Sequence, residues 1–209
     1  MSVCKIHKGQ DAHRRLDELG LGASDINEAL READEQASLY RSEVDARNAS
    51  GLVRWARTVG VLRGALSKKG WGREDPQNLP LAVNPATGVA IIVTTADGAT
   101  GFDRYSPKTL YPRGKATVQA AGQDPEQLSI MDMPEVELAK EMARAIQEEN
   151  QQWTVWFLLY HYDNHEGVIR TELSRPDPID LTAGRRVEQW LERILLEKIM
   201  VSGAGAKPD

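Results

Sequence analysis

The sequence predicts an α+β domain, with an N-terminal helical hairpin and further helices packed on an antiparallel sheet built from two β-hairpins. Three observations carry this. Apolar residues between 26 and 66 recur at alternating intervals of three and four, which draws a stripe along a helix. Two later stretches, 79–95 and 153–174, each contain two β-type runs joined by a short polar turn that includes glycine. Between them, helical periodicity returns over 135–150. Helices gathered first and strands later are the pattern of helices laid against a sheet.

Residues 11–19 read as a short helix closed by Gly20. From Ser24, a good N-cap with Glu28 behind it, Ile26, Leu30, Ala33, Ala37, Tyr40 and Val44 form one narrow stripe. After the break at Asn48-Ala49-Ser50-Gly51, Leu52, Trp55, Val59, Leu62 and Leu66 form a second. The first arm is rich in alanine and charge, so it should lean on another element. The stripes could also pair with a second copy, as a homodimer through helices 25–47 and 52–67, although packing within one chain is simpler.

A hairpin follows, with strands at 79–83 and 89–95; Pro85 and Gly88 supply the turn and a β-branched run supplies the second strand. Over 135–150, Leu138, Met142 and Ile146 fall at intervals of four. Residues 153–162 are apolar on both alternating faces, which places that strand near the middle of a sheet. After the turn at 163–167, Ile169, Thr171 and Leu173 alternate with Arg170, Glu172 and Ser174, which predicts a strand with one solvated face, antiparallel to its predecessor. Val187, Trp190, Leu191, Ile194, Leu195 and Ile199 fit helical spacing, with Glu188 and Glu192 one turn apart. Residues 193–196 also resemble a buried strand, so 185–199 can be read either way, with the helix preferred. Together these give a single domain over 1–201, helical over about 11–69 and mixed over about 79–201, followed by a disordered tail at 202–209.

The 209 residues are 41% apolar and 27% charged, an ordinary globular balance. A net charge of -5 argues against general affinity for nucleic acid or anionic membranes, so any polyanion site must be local. Cys4 is the one cysteine, which rules out an intrachain disulfide and fits a cytoplasmic home. The amino terminus lacks the apolar centre of a signal peptide, and the strongest apolar run, 155–160, is too short to cross a bilayer, so no membrane partner is expected.

Function is best sought between 96 and 134, where no apolar period is sustained. Within 101–120, Arg104, Lys108, Arg113 and Lys115 face the single acid Asp103, a local charge of +3, and Phe102, Tyr105 and Tyr111 are interleaved with them. Cations that meet phosphates and rings that stack on bases suit single-stranded nucleic acid or a nucleotide. An acidic protein surface would satisfy the same residues. The candidate partner- or phosphate-binding set is Arg104, Tyr105, Lys108, Tyr111, Arg113 and Lys115. The competing reading has the rings pinning a long loop to the sheet while the cations are solvated or paired with acids.

Other motifs carry less. Gly114-Lys115-Ala116-Thr117 fails as a phosphate-binding P-loop, because Ala follows the lysine and Thr109 stands where a glycine is required. Gly98 and Gly101 could present backbone N–H groups to an anion. Zinc held by Cys4, His7, His161 and His165 would need two distant pairs to meet, and the spacing matches no standard zinc module. Neither a metal nor a cofactor is expected. Trp71, between Gly70 and Gly72, could be an exposed partner anchor, whereas the other four tryptophans read as core. The leading expectation is a non-catalytic binding or regulatory protein that engages a protein or nucleic acid through loop 97–118. The alternative is a metal-dependent enzyme acting on a nucleotide or nucleic acid through Asp97, Asp103 or Glu172; a third reading is a structural protein that self-associates through its helices.

Overall fold

The sheet strands are β1 (Lys5–His7), β2 (Gly72–Glu74), β3 (Leu81–Asn84), β4 (Val89–Thr95), β5 (Thr154–Asp163), β6 (Val168–Pro176), β7 (Trp190–Leu195) and β8 (Ile199–Met200). Among the described residues three helices accompany them, α1 (Gln10–Glu18), α2 (Ala23–Ser38) and α3 (Ala49–Ser67). This computed structural model describes residues 3–40, 44–76, 79–110, 153–177 and 187–201; the helix expected at 135–150 and the tail at 202–209 lie outside the described residues. The strands form one eight-stranded sheet in the order β1-β7-β6-β5-β4-β3-β2, with β8 beside β6.

The α+β class stands, but the sheet is mixed rather than antiparallel. β3 and β4 pair antiparallel, as do β5 and β6, yet the two pairs meet through a parallel β4–β5 contact, and β1 joins β7 in parallel. The segment linking β4 to β5 is long enough to return the chain to the same end of the sheet, which a parallel neighbour requires. Parallel pairing also brings together two strands that are buried on both faces, with burial unbroken from Val89 to Thr94 and from Val155 to Tyr160. One face of the sheet carries Ile91, Val93, Trp156 and Leu158 into a core shared with the helices; the other carries Ala90, Ile92, Phe157 and Leu159 into a second core with Trp190.

Ion pairs set the direction of the two long helices. Asp25 meets Lys69, Glu32 meets Arg57 and Asp34 meets Arg54, so α2 and α3 run in opposite senses. Arg54 and Asp34 are both buried, and the guanidinium also lies 4.4 Å from the Tyr162 ring centroid. α2 starts earlier than expected. Gly22 takes the N-cap position and the Asp25 carboxylate accepts its N–H at 2.9 Å, so Ser24 lies inside the first turn. The helix stops at Ser38, short of Tyr40 and Val44, which are 44% and 94% exposed.

Two further expectations are overturned. Trp71 is 5% exposed, and its indole N–H donates to the Gly20 carbonyl at 3.1 Å, so it is core rather than an exposed anchor. Gly20 there has φ +79°, and a Cβ would come within 2.6 Å of the Asn84 amide nitrogen. The segment 190–195 is a strand, not a helix. Its apolar residues serve both faces, with Trp190 in one core and Ile194 in the other, and apolar residues on both sides of a strand mimic helical spacing over so short a window.

Candidate functional site

The loop after β4 leaves the sheet and returns to the same place. Ala96 bridges Thr109, the Asp97 N–H donates to the Lys108 carbonyl at 3.0 Å, and the Leu110 N–H donates to the Thr95 carbonyl at 3.2 Å. Such a neck makes residues 97–108 a closed surface loop. Asp97 starts it with a turn of its own, since its carboxylate accepts the Ala99 N–H and its carbonyl accepts the Thr100 hydroxyl.

Beneath the loop lies a buried ion pair. Glu172 on β6 is 0% exposed and Arg193 on β7 is 2% exposed; the guanidinium donates to both carboxylate oxygens, at 2.8 and 2.5 Å. A forked pair of this kind is strong and directional. Its remaining capacity points at the loop. Arg193 donates to the Tyr105 and Phe102 carbonyls at 2.7 and 3.1 Å, and Glu172 accepts the Gly101 N–H at 2.8 Å and the Ser174 hydroxyl at 2.6 Å. Trp190 donates to the Pro107 carbonyl at 2.8 Å. Gly101 has φ +78°, and a Cβ there would meet the Arg170 Cβ at 3.2 Å. The solvated face expected for Arg170, Glu172 and Ser174 is therefore buried, because this loop covers it.

With its backbone turned inward, the loop presents side chains outward. Phe102 and Tyr105 are 40% and 62% exposed, with their rings edge to face at 6.2 Å. The Arg170 guanidinium sits 4.6 Å from the Phe102 ring centroid and is itself held by Asp163 at 2.7 Å and Glu166 at 2.8 Å. Hydrogen bonding to Arg170 and to backbone N–H groups lowers the Asp163 pKa to about 2.

Of the six candidate residues, Arg104, Tyr105 and Lys108 share this exposed loop, while Tyr111, Arg113 and Lys115 lie outside the described residues. Lys108 pairs with Glu188 at 2.7 Å, and Lys8 pairs with Asp103 at 2.6 Å, a bond that lowers the Asp103 pKa. Two of the cations around the rings are thus neutralised, while Arg104 has no acidic partner among the described residues.

The carboxylates considered for metal are all occupied by protein groups: Asp97 by its turn, Asp103 by Lys8, Glu172 by Arg193. Among the described residues no group of three or more His, Cys, Asp or Glu side chains is arranged to hold a metal ion. The histidine pairs do not meet. His161 on β5 donates to the Ala96 carbonyl, and His165 is exposed in the following turn. His7 lies on β1, three strand spacings away, or roughly 14 Å.

His7 belongs to a second buried network, on the opposite face of the sheet. Its Nδ1 lies 2.5 Å from Asp11 and its Nε2 3.0 Å from Glu192, which also accepts from Arg15 at 2.6 and 3.3 Å. Burial acts to raise the Glu192 pKa, but the hydrogen bonds and charge of Arg15, the His7 hydrogen bond and the charge of Arg175 outweigh it and hold the pKa below the ordinary glutamate value. A carboxyl depressed on folding adds stability above its unfolded pKa, and that stability is lost as pH falls through the folded value. Unfolding midpoints measured from about pH 6 down to about pH 3 should fall less steeply in Glu192→Gln than in the wild type. Parallel curves would show that this network does not drive the acid response.

The sequence pattern places Glu172 on a solvated strand face as a possible metal ligand, and Glu192 and Arg193 in a segment that reads preferentially as a helix, so it does not foretell the two buried ion-pair networks. Their signal lay in the cluster of opposite charges on what became neighbouring strands, which only strand order reveals. Comparison of the chain with protein-family models, with curated proteins and with solved structures finds no match.

Proposed function

We propose that this chain is a non-catalytic binding protein that docks a protein partner on the loop 97–110. Phe102 and Tyr105 provide the contact area, and Arg104 and Lys108 form the charged rim. The observation behind this reading is the combination of two outward rings with a backbone tied from beneath by the buried Glu172–Arg193 pair. A loop already held in place spends little conformational entropy on association, and exposed aromatic residues are the side chains that dominate interface energetics.

Charge favours a protein partner over nucleic acid. Nucleic acid needs uncompensated cations, and here Lys8, Lys108 and Arg170 all have acidic partners. What is left is an aromatic centre with a rim of both signs, which suits a protein surface.

The Phe102→Ala/Tyr105→Ala double variant tests this. At about 2 kcal/mol per anchor ring, each truncation should weaken partner binding roughly 30-fold, so the double variant should lose the partner that co-purifies with the wild type while its unfolding midpoint stays the same. An unchanged set of co-purifying proteins, or oligonucleotide affinity that depends on Arg104 and Lys108 but not on the rings, would overturn the proposal.

A further inference from the structure

The two buried networks lie on opposite faces of the sheet, since Glu192 and Arg193 are successive residues of β7 and their side chains alternate. On the Glu192 face, where α1 crosses β1 and β7, there is a cleft of about 400 Å³ with walls that are almost wholly charged. That volume is within the range of small-molecule sites, but the lining does not suit an apolar ligand.

The cleft is built on one cross-strand row. Lys5 on β1 stands opposite Glu192 on β7, which stands opposite Arg175 on β6, so the two cationic residues flank it at backbone positions roughly 10 Å apart. Glu192 is already covered by Arg15 and His7. The other acids are committed too: Asp11 bonds His7 and Arg14, and Glu18 bonds Arg15. The cations are not saturated. Lys5 has no ion-pair partner among the described residues, and Arg14 has only Asp11. Among the described residues, the nearest carboxylate oxygen to the Arg175 guanidinium is 3.8 Å away, too far for a hydrogen bond, and its buried Nε has no hydrogen-bond partner. A buried donor left unpaired is costly, and Arg175 lines the cleft together with the cations Lys5 and Arg14.

We propose that this cleft binds the phosphate group of a small phosphorylated molecule, with Lys5, Arg14 and Arg175 as its ligands. Several anionic oxygens on one centre can accept from all three side chains at once, and a guanidinium matches them in pairs. Arg15, His7 and Glu192 form the rigid floor that keeps the three cations apart until the anion joins them.

Isothermal titration calorimetry on the full chain, with glucose 6-phosphate and inorganic phosphate as probes, tests this. Saturable binding of the ester is expected, tighter than that of inorganic phosphate. Lys5→Gln and Arg175→Gln should each weaken it roughly ten-fold. Lys5 is exposed and Arg175 partly buried, so unchanged unfolding midpoints are needed to verify the fold of these variants, and Tyr105→Ala should bind as the wild type does because the loop lies on the other face. Equal affinity for inorganic phosphate would overturn the ester assignment. Absence of saturable heat with both probes, or binding that survives the Lys5→Gln/Arg175→Gln double variant, would overturn the site.

Discussion

Arg193→Met will destabilise the chain by about 3–5 kcal/mol, the cost of removing one partner from a buried ion pair. Glu172 is 0% exposed and would be left as an uncompensated charge, and the Phe102 and Tyr105 carbonyls would lose their donor in the same step. For a chain of this size 1 kcal/mol corresponds to about 2–4 °C, so the melting temperature should drop by on the order of 10 °C. Because the loop hangs from this pair, cleavage within 97–110 under limited proteolysis should accelerate beyond what global unfolding explains. Glu172→Gln keeps an acceptor for the Gly101 N–H but leaves the buried Arg193 guanidinium without its counter-charge, so it too should be strongly destabilising. The Glu172→Gln/Arg193→Met double variant should cost less than the sum of its parts by about 1 kcal/mol or more, because the second change no longer orphans a charge. If Arg193→Met unfolds within about 1 kcal/mol of the wild type in urea, the pair does not organise the loop.

Trp156→Ala should cost a similar amount, about 3–5 kcal/mol, by a different route. Trp156 lies in β5, the central strand, is 1% exposed and fills the core between sheet and helices. Truncation leaves a large cavity in a region where neighbouring strands cannot close in. Among the described residues the indole N–H has no hydrogen-bond partner, so Trp156→Phe gives up volume but no hydrogen bond there and should cost less than half as much. The Arg15 guanidinium lies 5.8 Å from the ring centroid, which links this core position to the Glu192 network. Tryptophan-to-alanine stability within about 1.5 kcal/mol of the wild type would mean that the central strand is far less tightly packed than its burial implies.

How far the sequence reveals this architecture depends on element length and on how local the signal is. The central position of β5 was legible because apolar residues on both alternating faces admit one physical arrangement, burial on both sides. The turn between β3 and β4 was legible from Pro85 and Gly88, the latter at φ +67°. β1 and β2 were not, since three residues are too few to display a period. In the candidate site, the outward position of Arg104, Tyr105 and Lys108 agrees with an irregular polar segment, but the neutralisation of Lys108 by Glu188 joins residues 80 positions apart that no local pattern connects.

From its residues alone, the chain commits to strands with doubly apolar faces and to amphipathic helices, because period and turn chemistry act over a few neighbouring positions. Tertiary structure decided the rest: the parallel meeting of β4 with β5, the strand state of 190–195, and the burial of Glu172 and Arg193 beneath the loop. These outcomes turn on which strands become neighbours. A charged side chain is solvated or buried according to whether its counter-charge arrives from another strand, and that is settled by the assembled sheet rather than by the residues on either side of it.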